Sequence, residues 1–164
     1  MERWYNPDYL IQDGSPLLNL TAWSVLYKGE AVNKETCTRA IEILTGHAQE
    51  PGNSDPIYKQ FKELGYLKKL GSAHMKLPEA VIFIDVDPAV SCERIRRRGD
   101  RIQVHETEEK LAELRKGYRM VCGVIETEFH LPLLVLAGEQ ELEQLTGSAA
   151  EFILSLVAGK QANA

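Results

Sequence analysis

The chain has 164 residues, 44% of them hydrophobic and 26% charged, with a formal net charge of −5, a composition and size that fit one soluble globular domain rather than two. No run approaches the roughly 20 apolar residues of a membrane-spanning helix, and Met1-Glu2-Arg3-Trp4-Tyr5-Asn6-Pro7 lacks the basic start and apolar centre of a secretory signal. An isoelectric point near 5.4 argues against nucleic acid as a partner, because neutralising backbone phosphates calls for a basic face, yet leaves room for small phosphorylated ligands held by a few local arginines.

Taken in chain order, Tyr9-Leu10-Ile11-Gln12 is a short β-prone run stopped by the turn signal Asp13-Gly14-Ser15-Pro16. Ser15 as N-cap and Pro16 as first residue open a helix from Leu17 to Tyr27 that ends at Gly29. A second helix starts at Asn33 and puts Cys37, Ala40, Ile41 and Leu44 on one face before Gly46; Ala48 to Ser54 is a loop by composition. Asp55-Pro56 opens a further helix through Ile57, Phe61 and Leu64 toward Leu70. Val81 to Val86 is almost wholly apolar and β-branched, as expected of a parallel strand covered on both faces. Asp87-Pro88 then caps a helix ending at Gly99.

From Glu108 to Phe129 the spacing of Leu111, Leu114, Tyr118, Val121, Ile125 and Phe129 predicts a long amphipathic helix. Leu133 to Leu136 is a second buried strand, and Leu142, Leu145, Ala149, Phe152 and Leu156 mark a final helix. Residues 1–158 therefore form one domain and 159–164 a polar tail. Alternating strands and helices define an α/β fold with a parallel sheet. The three cysteines, Cys37, Cys92 and Cys122, are too few and too widely spaced for a disulfide framework or a C-x-x-C pair. Cys92 and Cys122 fall on apolar helical stripes as small core residues, and the chain is placed in the cytoplasm.

Three sets of residues carry candidate chemistry. Asp13 closes an apolar run, where a carboxylate can hold hydrated Mg²⁺ at the carboxyl end of a strand, although Asp before Gly is also an ordinary turn pair. Arg94, Arg96, Arg97, Arg98 and Arg101 stand within eight positions around a helix end. Such a cluster can grip phosphate oxygens through bidentate forks. Its plainer role is to complement the helix dipole, with Glu93 pairing Arg97 at i+4; Arg101 lies past the helix stop, where neither explanation applies. Gly138-Glu139 follows the last strand, either as a plain connection or as a loop against a nucleotide base. His105-Glu106 lacks the second histidine of a zinc helix, and no G-x-x-x-x-G-K-[ST], G-x-G-x-x-G or G-x-S-x-G pattern occurs.

Leu77-Pro78-Glu79-Ala80-Val81-Ile82-Phe83-Ile84-Asp85-Val86-Asp87-Pro88, then Cys92-Glu93-Arg94-Ile95, resemble the thymidylate kinase and deoxynucleoside kinase family. Arg94, Arg96, Arg98, Gly99 and Asp100-Arg101-Ile102 are similar to that family's arginine-rich lid, and Leu114-Arg115 with Tyr118 to the helix after it. Asp13-Gly14-Ser15 sits where the family has a D-R-S motif, with Gly14 in place of the arginine. The resemblance spans about residues 8 to 157 and is specific around 78–118. It implies a three-layer, parallel-sheet P-loop kinase-like fold lacking the N-terminal P-loop strand–helix–strand, which a longer reading frame or another polypeptide would supply.

By that resemblance Asp13, Arg98 and Arg101 are catalytic, Asp13 holding Mg²⁺ and the two arginines neutralising the transferring phosphate. Ser15, Arg94, Arg97, Gly138 and Glu139 bind substrate or nucleotide, with Arg94 against adenine. The implied cofactors are ATP and Mg²⁺, and the implied partners a nucleoside or nucleotide and a second protein copy or P-loop donor. The implied reaction is ATP-dependent phosphoryl transfer to a nucleoside or nucleoside monophosphate. The alternative is a non-catalytic remnant acting as a nucleotide-binding or dimerisation module.

Overall fold

The structure is a computed structural model that describes residues 9–15, 17–19, 22–24, 33–49, 52, 54–69, 75–99, 103 and 106–162. Helices α1 (Lys34–Thr45), α2 (Ile57–Gln60) and α3 (Lys62–Lys69) precede β1 (Val81–Asp85); α4 (Pro88–Arg98), α5 (Glu108–Glu128), β2 (Leu133–Ala137) and α6 (Leu142–Ala162) follow. Helical residues 17–19 and 22–24 belong to the segment opened by Ser15, whose carbonyl accepts the Asn19 amide at 2.9 Å; Pro16 and the rest of that expected helix lie outside the described residues.

Local chemistry explains the helix ends. Asn33 and Thr36 cap α1 reciprocally, at 2.9 and 3.1 Å, and Gly46 closes it in the left-handed region at φ 76°. Asp87 caps α4 by accepting the Ala89 amide at 3.0 Å, Pro88 fills the first position, and Gly99 ends it at φ 78°. The helix expected from Asp55 is broken at Phe61, which leaves helical dihedrals (φ −124°, ψ 80°) while its ring is buried. The last helix runs on to Ala162, taking in the start of the residues that composition separates as a tail, because Ala158, Lys160 and Gln161 prolong a helix readily.

β1 and β2 pair in parallel, Val81 opposite Leu133 through Asp85 opposite Ala137. Strand alternation sends Val81, Phe83 and Asp85 to one face, which α5 crosses: Val81 joins the core beside Val121 and Cys122, and the Phe83 ring stacks on Tyr118 with centroids 6.2 Å apart. The core is otherwise helical, with Leu17, Ala22, Cys37, Ala40, Ile41, Phe61, Leu64, Val124 and Ile125 buried together. In the parallel ladder Val81 takes the Pro132 carbonyl at 2.9 Å, so Ile82 and Ile84 turn their amide and carbonyl groups to the opposite edge, which no other described strand occupies.

The β-prone run at 9–12 forms no strand: it is irregular, and Tyr9, Leu10 and Ile11 are exposed by 59%, 51% and 81%. β-propensity describes fitness for a pleated, half-buried surface, and these residues pair with neither described strand. Among the described residues no helix is long and apolar enough to cross a membrane.

All three cysteines are free and buried. Burial pushes the Cys37 thiol up to about 12, with Cys122 nearby adding to the rise, and the Cys122 thiol up to about 11. Thiol labelling at pH 8 in native buffer is therefore expected to leave Cys37 and Cys122 unmodified until the chain unfolds; rapid labelling of either in the folded protein would contradict this packing.

Candidate functional site at the carboxyl end of the sheet

The densest polar constellation lies where the two parallel strands end, the position at which open α/β sheets carry their ligands. Asp85, the last residue of β1, is 8% exposed. Arg115 of α5 grips it with two nitrogens, Nε to Oδ1 at 2.6 Å and Nη2 to Oδ2 at 3.1 Å, and Arg119 approaches Oδ2 through both Nε (3.0 Å) and Nη2. Arg115 Nη1 also reaches Asp87 Oδ2 at 3.3 Å. Positions 115 and 119 are one helical turn apart and share a face, so both guanidinium groups converge on one carboxylate.

Main-chain groups continue the network. The Gly138 amide donates to the Asp85 carbonyl at 2.8 Å, and the Asp87 amide donates to Glu139 Oε1 at 2.6 Å. Arg94 of α4 closes the circuit through Nη2 to the Gly138 carbonyl at 2.9 Å. Gly138 has no room for a side chain: a Cβ there would overlap Val86 Cγ2 and stand 3.0 Å from Ile84 Cγ2.

Hydrogen bonding from Arg115, opposed by burial and reinforced by Arg119, holds the Asp85 carboxyl below the usual carboxylate range. The same pairing pushes Arg115 up, with Asp87 and Glu139 adding to it. The cluster sums to neutrality: Arg94, Arg115 and Arg119 stand against Asp85, Asp87 and Glu139.

Of the residues singled out from sequence, Arg94, Gly138 and Glu139 meet in this network. Arg97 instead pairs with Glu93 on the exposed face of α4, and Arg98 pairs with Glu106 at 3.0 Å. Arg96 lines a cleft of about 210 Å³ with Cys92, Ile95, Glu106, Thr107 and Glu108. Arg101, with the flanking Asp100 and Ile102, lies outside the described residues.

Asp13 is exposed in the bend before Gly14, whose φ of 67° suits glycine. The Ser15 carbonyl holds the Asn19 amide, and Asn19 Oδ1 accepts from Tyr118 at 2.7 Å, which seats this turn against the helix that carries Arg115. Among the described residues no three His, Cys, Asp or Glu side chains gather to hold a metal. A single carboxylate at Asp13 suits Mg²⁺ only where phosphates complete the shell.

Asp85 and Arg115 stand within segments that carry the resemblance, but nothing there assigns them or Arg119 a role. Their signal is positional: Asp85 is the sole charge in the run 81–86, and Arg115 and Arg119 flank the apolar stripe at Leu114 and Tyr118 with i, i+4 spacing. Compared with protein-family models, curated proteins and solved structures, the chain matches none.

Two outcomes test this geometry. Because folding lowers the carboxyl pKa of Asp85, its stabilisation is complete above the unfolded carboxylate pKa and is lost as pH falls through the lower folded value. The variant Asp85→Asn should thus lose about 2 kcal/mol at pH 7 and show a shallower acid-side decline than the parent in denaturant titrations; equal stability of the two at pH 7 would contradict the clamp. Gly138→Ala should cost about 1–3 kcal/mol through overpacking against Val86 and Ile84, measured by thermal melting, and an unchanged melting temperature would contradict the close approach.

Proposed function

We propose that the chain is the nucleotide-recognition portion of a thymidylate kinase-like or deoxynucleoside kinase-like phosphotransferase, acting from ATP on a nucleoside or nucleoside monophosphate once a phosphate-binding loop completes it. The observation that carries this reading is the Arg94–Gly138 hydrogen bond at 2.9 Å. It joins the arginine-rich helix to the loop after the last strand, two segments 44 residues apart that the resemblance assigns to one nucleotide. The parallel strand pair supports it, since both segments leave the carboxyl ends of β1 and β2.

In this reading Arg94 and the Gly138-Glu139 backbone receive the base, and Arg97, Arg98 and Arg101 serve the phosphates. Arg97 and Arg98 would exchange their present partners, Glu93 and Glu106, for ligand oxygens. The Arg97–Glu93 pair is exposed and worth about 0–1 kcal/mol, so that exchange meets little resistance. Releasing Arg98 costs more, because it takes a partner from the largely enclosed Glu106 carboxylate, which also accepts the Gln103 amide. Asp13 would hold Mg²⁺, and Ser15 would face the acceptor. ATP supplies the phosphoryl group and Mg²⁺ neutralises its charge; positioning and charge stabilisation are the protein's share of such a transfer. The proposed location is the cytoplasm.

A second reading, a non-catalytic nucleotide-binding or dimerisation module, is favoured by one observation: no other described strand pairs with the outer edge of β1, and Ile84, on the face away from α5, is 52% exposed. A second copy, or a chain bearing the phosphate loop, would continue the sheet at that edge.

The purified chain is expected to bind ATP in calorimetry, with Arg94→Ala weakening binding about tenfold, and to transfer no phosphate to thymidine or its monophosphate without an added phosphate loop. Absence of ATP binding would refute the proposed function, and unaided ATP-dependent phosphorylation would refute the need for a completing segment.

A further inference from the structure

Arg115 is the only residue of the network whose side chain touches both acids of the β1–α4 turn. Its three guanidinium nitrogens are all engaged, two on Asp85 and one on Asp87. Arg119 binds Asp85 alone and is more exposed, 57% against 25% for Arg115. The two acids held by Arg115 are also the residues whose main chain organises the opposite loop, through the Asp85 carbonyl to Gly138 and the Asp87 amide to Glu139. Asp87 caps α4 as well, and so sets the start of the helix from which Arg94 reaches the Gly138 carbonyl.

A planar guanidinium spanning two carboxylates fixes their separation and orientation, which the point charge of an ammonium does not. With Gly138 wedged against Val86 and Ile84, the loop has no slack to absorb a displaced turn.

We propose that Arg115 is a positioning residue: by bridging Asp85 and Asp87 from α5, it holds the Asp87 amide and the Asp85 carbonyl where they set Gly138 and Glu139 beside Arg94. This rests on the reading of Arg94, Gly138 and Glu139 as the base-binding group. Arg115 itself would touch no nucleotide, which explains why a residue on the post-lid helix governs a loop on the far side of β1.

Amide hydrogen exchange resolved by residue tests the proposal in two variants. Arg115→Lys keeps the charge and loses the fork; Asp87→Asn keeps the helix cap and loses the second acid. Each should speed exchange at the amides of positions 87 and 138 about tenfold, while the Val81 amide, bonded to Pro132 at the other end of β1, stays at the parent rate. Equal acceleration at all three amides would mean that Arg115 merely supports the strand pair, and no acceleration at positions 87 and 138 would mean that it positions nothing; either overturns the proposal. The same variants should bind MgATP about tenfold more weakly in calorimetry. If the parent chain binds no MgATP, the base-site reading fails, and the exchange rates still decide whether Arg115 sets the loop.

Discussion

One buried carboxylate governs the end of this sheet. Asp85 terminates a strand of otherwise apolar residues and is nearly enclosed, a setting that opposes ionisation unless compensation is close and well directed. Two arginines one helical turn apart on α5 provide it. The pairing pins the long helix across the β1 face at the end opposite to the Val81 core contacts, so the helix is held by apolar packing at one end and by charge at the other. Loss of the acid would leave two arginines converging on each other, and the strand end would lose its fixed point.

Everything at the carboxyl end of the sheet is built outward from that point. The Asp85 carbonyl receives the Gly138 amide, the Asp87 amide receives Glu139, and Arg94 returns from α4 to the Gly138 carbonyl. The cluster is electrically balanced, so it is not an anion trap in itself. Its outer arginines differ: Arg97 is tied by a solvent-exposed pair to Glu93, and Arg98 by a half-exposed pair to the largely enclosed Glu106. In the proposed reading a nucleotide would set its heterocycle against the neutral network and its phosphates toward this cationic flank.

The parts of the fold legible from sequence are those decided locally. An almost wholly apolar, β-branched run gave away β1, although it is not covered on both faces as expected, Ile84 being 52% exposed. Asp87-Pro88 with Gly99 bounded α4 because caps and left-handed closures are single-residue chemistry. The run at 9–12 has the same β-propensity, yet a strand exists only where a partner edge lies beside it, and that is a tertiary fact. Phe61 likewise broke a helix that its neighbours' periodicity continued, with its ring in the core. At the site, Arg94, Gly138 and Glu139 were assigned a role through the resemblance. Asp85 and Arg115 stand among the residues that carry it but received no role, because thirty positions separate them and each alone is an ordinary charged residue.

The most direct test of the account is a residue-resolved titration of the amide resonances of this chain with ATP. The central claim is that the ligand meets the protein at the carboxyl end of β1 and β2, on the group held by the Asp85–Arg115 clamp. The largest shifts are then predicted at positions 87, 94, 138 and 139, with little change at the apolar contacts of Ile41 and Ile125. Shifts confined to other surfaces, with positions 138 and 139 unmoved at saturation, would contradict it.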